Sequence, residues 1–366
     1  MKNLWSYMPP FLADTFGLEE VVSNTDGMGI IDDSTEYRSK SHAVRMVASH
    51  IRSEDVVGGT REKVLSAFRT GSNQLGPRFV LLCAAPCASM IGTDLGEIAE
   101  QITRESGLPA AAVEVTGHKT WENGVARSLE ALAKTVVAQP EGAPSGVNLI
   151  GGSALNWGSG NLEAVDRWAQ QSCGPILSRW GGRETLSNLQ RAANTRCNLV
   201  TSVAGLRAAK ALQSAYGTPY VAGAPFGAAW SQRLAQAVQD GTAPELPRNG
   251  ADAPEVLIVA EQYMANAIRA TLQLEYGMER VQVASFFTMD KARQLPGDVK
   301  LKSEEQLKTL LEQGGYKLVL TDENASALAP EGVKWVNLPC EASIAPSGTL
   351  PPLVGDQLNR WLDSVL

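Results

Sequence analysis

Short apolar runs, each closed by a small-residue loop and followed by a segment of helical spacing, recur along this chain. FVLLC at 79–83 leads towards a helix predicted from Asp94. There Asp94 and Glu97 have capping-box spacing, and Leu95, Ile98, Ala99 and Ile102 fall on one face at i, i+3, i+4 and i+7. Gly107 ends that helix, since glycine takes the left-handed C-cap without a Cβ penalty. AAAVEV at 110–115 reads as the next strand, running into the loop TGHKTWENG. After QPEGAPSG at 139–146 a second series begins, with VNLI, PILSRW, CNLV and PYVAG as strands and helices over 161–171, 184–193 and 203–216. After DGTAPELPRNGADAP at 240–254 a third follows, with strands EVLIVAE, VQVASFF, YKLVLTD and VKWVNLP and helices over 262–275, 303–313 and 353–366. Upstream of all three, GMGII reads as strand-like and SKSHAVRMVASH, 39–50, as helical.

Strands alternating with helices of this length predict parallel sheets covered on both faces. The expected fold is therefore α/β, with three Rossmann-like domains over 1–142, 143–250 and 251–366, the last closing on a C-terminal helix. Open α/β sheets bind ligands beyond the carboxyl ends of their strands. That singles out five loops: CAAPCASMIG, TGHKTWENG, GGSALNWGSG, AEQYMAN and PCEASIAPSG.

Composition narrows the function. A chain of 366 residues, 44% hydrophobic and 19% charged, buries a large core. Its net charge of −7, with no dense Lys/Arg stripe, excludes nucleic acid as the expected partner. The first residues, MKNLWSYMPPFLADTFG, have no continuous apolar stretch before two prolines and do not read as a signal peptide. The longest apolar run, 79–91, is broken by Pro86 and falls short of the roughly 20 residues that span a bilayer. A cytoplasmic, membrane-free protein is expected. Five cysteines, Cys83, Cys87, Cys173, Cys197 and Cys340, are too few and odd in number for a disulfide framework, and so are thiols or metal ligands.

Cys83 and Cys87 stand four apart at the mouth of a predicted strand. They supply two thiolates where an iron–sulfur cluster needs about four. Two copies meeting across a two-fold axis would complete the set; alternatively the two thiols pack the turn beside Ala84, Ala85 and Ala88. His118 follows a strand and is a candidate metal ligand or proton donor, or a capping histidine. Cys340 sits at the ligand-binding end of another strand, or on a loop that only crosses the surface. Cys173 and Cys197 read as core, and His42 and His50 as one partly exposed helix face. GGSALNWGSG offers backbone N–H groups to an anion, or is a tight turn that needs positive φ; it lacks GxGxxG spacing. Asp32, Asp33 and Glu36 form a small acidic group, read as solvated turn carboxylates or as neighbours of a cofactor.

Four blocks, PPFLADTFGLEEVVSNTDGMGIIDDS, EDVVGGTREKVLSAF, PCASMIGTDLGEIAEQITRESGLPAAAVEVTGHKTWENGVARSL, and VNLIGG with AYGTPYVAG, resemble the nitrogenase component 1 family. That family includes the nitrogenase molybdenum-iron protein subunits, their cofactor scaffolds and dark-operative protochlorophyllide reductase; short nitrogenase-like proteins are the nearest in kind. The resemblance implies three Rossmann-like domains, pairing into dimers through the first of them, and electrons delivered by a separate ATP-hydrolysing iron protein. The absence of GxxxxGK[ST] from this chain fits a component that does not hydrolyse ATP itself. The resemblance also implies a [4Fe–4S] cluster at a subunit interface, with Cys83 and Cys87 as metal ligands and His118 and Cys340 as further cofactor-binding residues. Gly58 and Gly59 would lie near the electron donor. Two departures stand out: no cysteine precedes Cys83, and Pro86 occupies the place of a family cysteine, with Cys87 one residue on.

Two functions follow as alternatives. One is an oxidoreductase subunit, the electron-accepting component of a two-component, ATP-dependent reductase. The other is a non-catalytic partner subunit or cofactor-assembly scaffold, acting as a homodimer or with a paralogous subunit. A cluster shared across an interface and a chain that holds none alone are equal expectations.

Overall fold

The structure, a computed structural model, describes residues 20–24, 36–38, 43–48, 51, 53–75, 77–84, 91–113, 120–181, 184–250, 253–339 and 349–366. Three sheets organise them. The first comprises β1 (Glu20–Asn24), β2 (Glu36–Arg38), β3 (Ala43–Ala48), β4 (Val80–Ala84) and β5 (Ala110–Val113), in the order β2-β3-β1-β4-β5. Helices α1 (Ser53–Gly58), α2 (Arg61–Leu75) and α3 (Leu95–Ser106) join these strands, and α4 (Trp121–Thr135) leaves the last of them. The second sheet has β6 (Val147–Ile150), β7 (Ile176–Trp180), β8 (Cys197–Val200) and β9 (Tyr220–Ala222), ordered β7-β6-β8-β9. Its helices are α5 (Ala154–Ser172), α6 (Leu186–Gln190), α7 (Leu206–Tyr216) and α8 (Ala228–Asp240), with a 3-10 turn at Val203–Gly205. The third sheet has β10 (Val256–Val259), β11 (Val281–Ser285), β12 (Val299–Lys300), β13 (Leu318–Thr321) and β14 (Lys334–Asn337), ordered β12-β11-β10-β13-β14. It is covered by α9 (Gln262–Glu275) and α10 (Glu304–Gly314), and the described chain closes with α11 (Gln357–Val365).

The α/β class read from the pattern is the class adopted. Every pairing between these strands is parallel except β2 with β3. Central strands β6, β8, β10 and β13 are buried along their whole length, as strands covered on both faces must be. Helix α3 follows its sequence signals closely: the Asp94 side chain accepts the Glu97 N–H at 2.9 Å, Leu95, Ile98, Ala99 and Ile102 are the buried face, and Gly107 caps at φ 72°.

Several segments differ from the pattern. Residues 43–48 form strand β3, not part of a helix over 39–50; AVRMVA lies between β1 and β2, and pairing on both sides outweighs its helical spacing. His42 and His50 lie outside the described residues. Helix α4 begins inside TGHKTWENG, at Trp121, and α8 is a full helix in a stretch the pattern left unassigned. The C-terminal helix starts at Gln357 and not at 353, because Leu353 N–H is held by Asn161 Oδ1 at 2.9 Å and Val354 bridges to Phe226.

The largest apolar cluster is continuous through all three sheets, from Phe79 and Leu81 by way of Leu149 and Val200 to Ile258 and Leu320. The three sheets are therefore joined through one apolar cluster, while the first and third each carry a further cluster of their own.

Candidate functional site

Each sheet reverses its winding direction between two neighbouring strands, and that is where an open α/β sheet leaves a crevice. In the second sheet the reversal lies between β6 and β8, and the chain itself fills it. A Cβ on Gly205 would stand 2.5 Å from Ile150 O, and one on Gly151 2.5 Å from Gly205 N. Gly151, at φ 99°, donates its N–H to Trp180 O at 2.6 Å, and Ser153 N–H donates to Asn156 Oδ1 at 2.9 Å. Gly151 to Ser153 thus form a tight turn into α5, with the Gly151 and Ser153 amides engaged within the protein.

In the first sheet the reversal lies between β1 and β4. The loop that leaves β4 there carries Cys87, which lies outside the described residues, as do His118, between β5 and α4, and Cys340, after β14. Asp32 and Asp33 also fall outside them, and Glu36 opens β2. Cys83 is within β4, buried in the apolar core, and burial pushes its thiol up to about 12. Cys173 and Cys197 are buried too, at about 12 and about 11 for the same reason. Among the described residues no three His, Cys, Asp or Glu side chains gather as a metal site. The described side chains alone do not make a cluster-binding set.

The third sheet reverses between β10 and β13. Directly after β10 stands Glu261, buried at 4% exposure and N-capping α9. Its Oε2 accepts the N–H groups of Tyr263 and Met264, each at 3.0 Å, while Oε1 reaches the second sheet and accepts Val203 N–H at 2.8 Å. A second buried carboxylate, Glu122 in the first turn of α4, is 2% exposed. It accepts Thr288 N–H from the loop after β11 at 3.2 Å and the Thr120 hydroxyl at 3.3 Å. Trp121 beside it meets Phe287 edge-on, with ring centroids 5.6 Å apart. Lys300, whose Nζ donates to Phe286 O at 2.7 Å, faces Glu122 electrostatically.

Burial dominates both carboxyls. It pushes Glu261 up to about 7, against the pull of the Val203 and Met264 amides and with a further push from the negative charge of Glu122. Glu122 is also raised by burial, with the Thr288 bonds and Lys300 opposing. Burial lowers Lys300, and Glu122 holds it back up.

The loop from 286 to 298 that presents Phe287 and Thr288 is pinned along one face of α9. Gln262 Nε2 donates to Asp290 O at 3.1 Å, Tyr263 OH to Asp290 Oδ2 at 2.9 Å, Asn266 Nδ2 to Arg293 O at 2.9 Å, and Arg269 Nη1 to Asp298 Oδ1 at 2.6 Å. Elements from all three sheets thus meet around Glu122 and Glu261. The sequence singled out the two loops that carry them, TGHKTWENG and AEQYMAN, but neither residue within them. Each looked like an ordinary acid at a helix start, and its cross-sheet partner, Thr288 or Val203, is distant along the chain.

Helix α1, which follows β3, leaves Val57 93% and Val56 45% exposed, and Ile91 is 38% exposed. The Thr60 and Thr93 hydroxyls, 2.6 Å apart, tie the segments of these residues together.

Residues 33–253 match the family model described as nitrogenase component 1 type oxidoreductase. The chain belongs to this family. Among its relatives is the nitrogenase iron-molybdenum cofactor biosynthesis protein NifE of Rhodobacter capsulatus, 29% identical over 219 residues, 57% of this chain. The match spans 45% of NifE, less than half its length. Solved structures of nitrogenase Cp1 at pH 6.5 and pH 5 share the family fold. The first has a TM-score of 0.65 at 12% identity, covering 97% of this chain and 89% of its own. The second has a TM-score of 0.57 at 13% identity, covering 88% and 80%. Among the described residues no helix is long and apolar enough to cross a membrane.

Proposed function

We propose that this protein is a cofactor-holding subunit of a nitrogenase-like system, a scaffold or partner subunit and not a self-sufficient reductase, with domains at 1–142, 143–250 and 251–366. The observation that carries the reading is the place of β4, which ends where the first sheet reverses its winding, three residues before Cys87 in sequence; ligands bind beyond the carboxyl ends of strands at such reversals. Cys87 is a thiolate ligand for a [4Fe–4S] cluster whose set a second subunit completes, with His118 and Cys340 as further cofactor contacts, while Cys83, expected as its companion ligand, is packed in the apolar core. The partner is a second copy or a paralogous subunit. Likeness to NifE, named for cofactor biosynthesis, supports a role in carrying a metallocofactor.

Anaerobic purification with iron and sulfide counted per chain tests this, repeated for Cys87→Ala and with a paralogous subunit co-expressed. Iron that appears with the partner and falls at least severalfold in the variant is expected. A complex that stays iron-free and colourless in both forms would sink it.

A second reading, the electron-accepting component of an ATP-dependent reductase, is favoured by the apolar patch of Val56, Val57 and Ile91, a surface suited to a separate iron protein. Mixing the complex with such an iron protein and ATP, and following ATP-dependent reduction of the cluster optically, separates the two. Reduction that depends on Val57 supports this reading, and its absence leaves the scaffold role.

A further inference from the structure

After the last strand of the third sheet the chain returns to the second. Asn161 of α5, 4% exposed, donates from Nδ2 to Pro351 O at 3.0 Å and accepts Leu353 N–H on Oδ1 at 2.9 Å. The same Nδ2 donates to Trp157 O at 3.0 Å, across the break in α5 at Gly158, whose φ of 71° and ψ of 156° are not helical. Gly227 donates its N–H to Leu353 O at 3.3 Å, Gly355 donates to Pro225 O at 3.0 Å, and Phe226 between them bridges to Val354 and Gly355. Further on, Asn359 Oδ1 accepts Ala228 N–H at 2.9 Å, and its Nδ2 donates at 2.8 Å to Glu275 Oε2 at the end of α9. Leu353, Leu358 and Leu362 are fully buried along the same stretch. The 225–228 turn is held from both sides: a Cβ on Gly227, at φ 84°, would collide with the Thr271 side chain of α9, while its N–H is held by Leu353 O. Helix α5 follows β6 and α9 follows β10, each a strand beside the reversal of its sheet.

We propose that residues 351–359 are a strap that fixes α5 and α9 against each other, and that it seats and lifts as one unit while the sheets stay folded. Its bridges to Phe226 are isolated, not part of a continuous ladder, so its polar hold rests on two asparagine side chains and two glycine amides. Segments held by a few separate ties open at lower free energy than strands inside a sheet, and they open together where the ties share partners. Here the partners are shared. Leu353 is held through its N–H by Asn161 and through its carbonyl by Gly227, and Asn359 joins the same turn to α9. Lifting the strap frees α5 and α9 to shift, so a ligand that moves either helix is coupled to the strap without touching it.

Native-state hydrogen exchange on the full chain tests this, with each variant read at amides that its own side chain does not hold. In Asn161→Leu the peptide 225–230 should exchange at least about tenfold faster, and in Asn359→Ala the peptide 349–356 should do the same. The peptide 95–106, in α3, keeps its wild-type rate in both. Should Asn161→Leu fail to fold, Asn359→Ala alone decides. Faster exchange confined to the amides that each asparagine holds would overturn the strap as one unit. An equal rise in α3 would mean that only global unfolding releases it, and would overturn its independence from the sheets.

Discussion

The Arg269 guanidinium donates to Asp298 Oδ1 at 2.6 Å, with side-chain exposures of 1% and 0%. Asp298 also accepts Val283 N–H at 3.0 Å and Leu295 N–H at 2.9 Å, so the pair fastens the far end of the 286–298 loop to α9 and to β11. Removing one partner strands a buried charge. Arg269→Met is expected to destabilise the chain by about 3–5 kcal/mol, and Arg269→Met with Asp298→Asn by less than the two single changes added together. Urea unfolding of the four members of the cycle measures this, and full additivity would refute the coupling.

Stability should also depend on pH through Glu261. Its folded value is raised above the unfolded one, so the folded chain binds the extra proton. Stability from this group is fully present below about pH 4.5, declines as pH rises through about 7, and is flat above. Glu261→Gln removes that decline. The difference between wild type and variant, measured by urea unfolding at about pH 5 and about pH 8, should change by roughly 1–3 kcal/mol. Parallel profiles would show that burial does not raise this carboxyl.

Gly205 and Gly217 separate close approach from backbone strain. Gly205 touches the Ile150 carbonyl, whereas Gly217 caps α7 at φ 72° with nothing within 4 Å of a Cβ. Gly217→Ala should cost about 1–2 kcal/mol, the left-handed penalty alone. Gly205→Ala forces backbone apart in the filled crevice and should cost more than about 3 kcal/mol. Thermal unfolding of the two variants side by side ranks them, and equal losses would mean that the crevice yields.

Cys83, Cys173 and Cys197 should resist alkylation in the metal-free native chain and react on unfolding, since burial hides each thiol and raises it to about 11 or 12. Mass mapping after iodoacetamide treatment, with and without urea, checks this. Rapid labelling of Cys83 in the native chain would place it at the surface of the Cys87 loop and not in the core.

Helix α3 was legible almost residue by residue, because its cap, apolar face and terminating glycine are local signals that agree. Strand β3 was not: AVRMVA carries helical spacing, and only its neighbours β1 and β2 decide its form. Glu184 to Ala193, expected as one helix, is a short α6 followed by a 3-10 turn, where residue spacing alone does not fix the pitch. Among the site residues, the loops at the carboxyl ends of strands were readable from topology rules. The acids that join them were not, because a single glutamate at a helix start has the same signature on any surface.

By itself the sequence determined the α/β class, the places where helices cap and stop, and membership of a recognisable family. These depend on periodicity, on cap chemistry and on motif blocks that are contiguous in the chain. Only the tertiary structure decided that the second sheet's crevice is filled by Gly151 and Gly205, that Cys83 is core, and that Glu122 and Glu261 tie three sheets together. Those outcomes depend on which residues distant in sequence come within contact distance, and on how much water is lost where they meet.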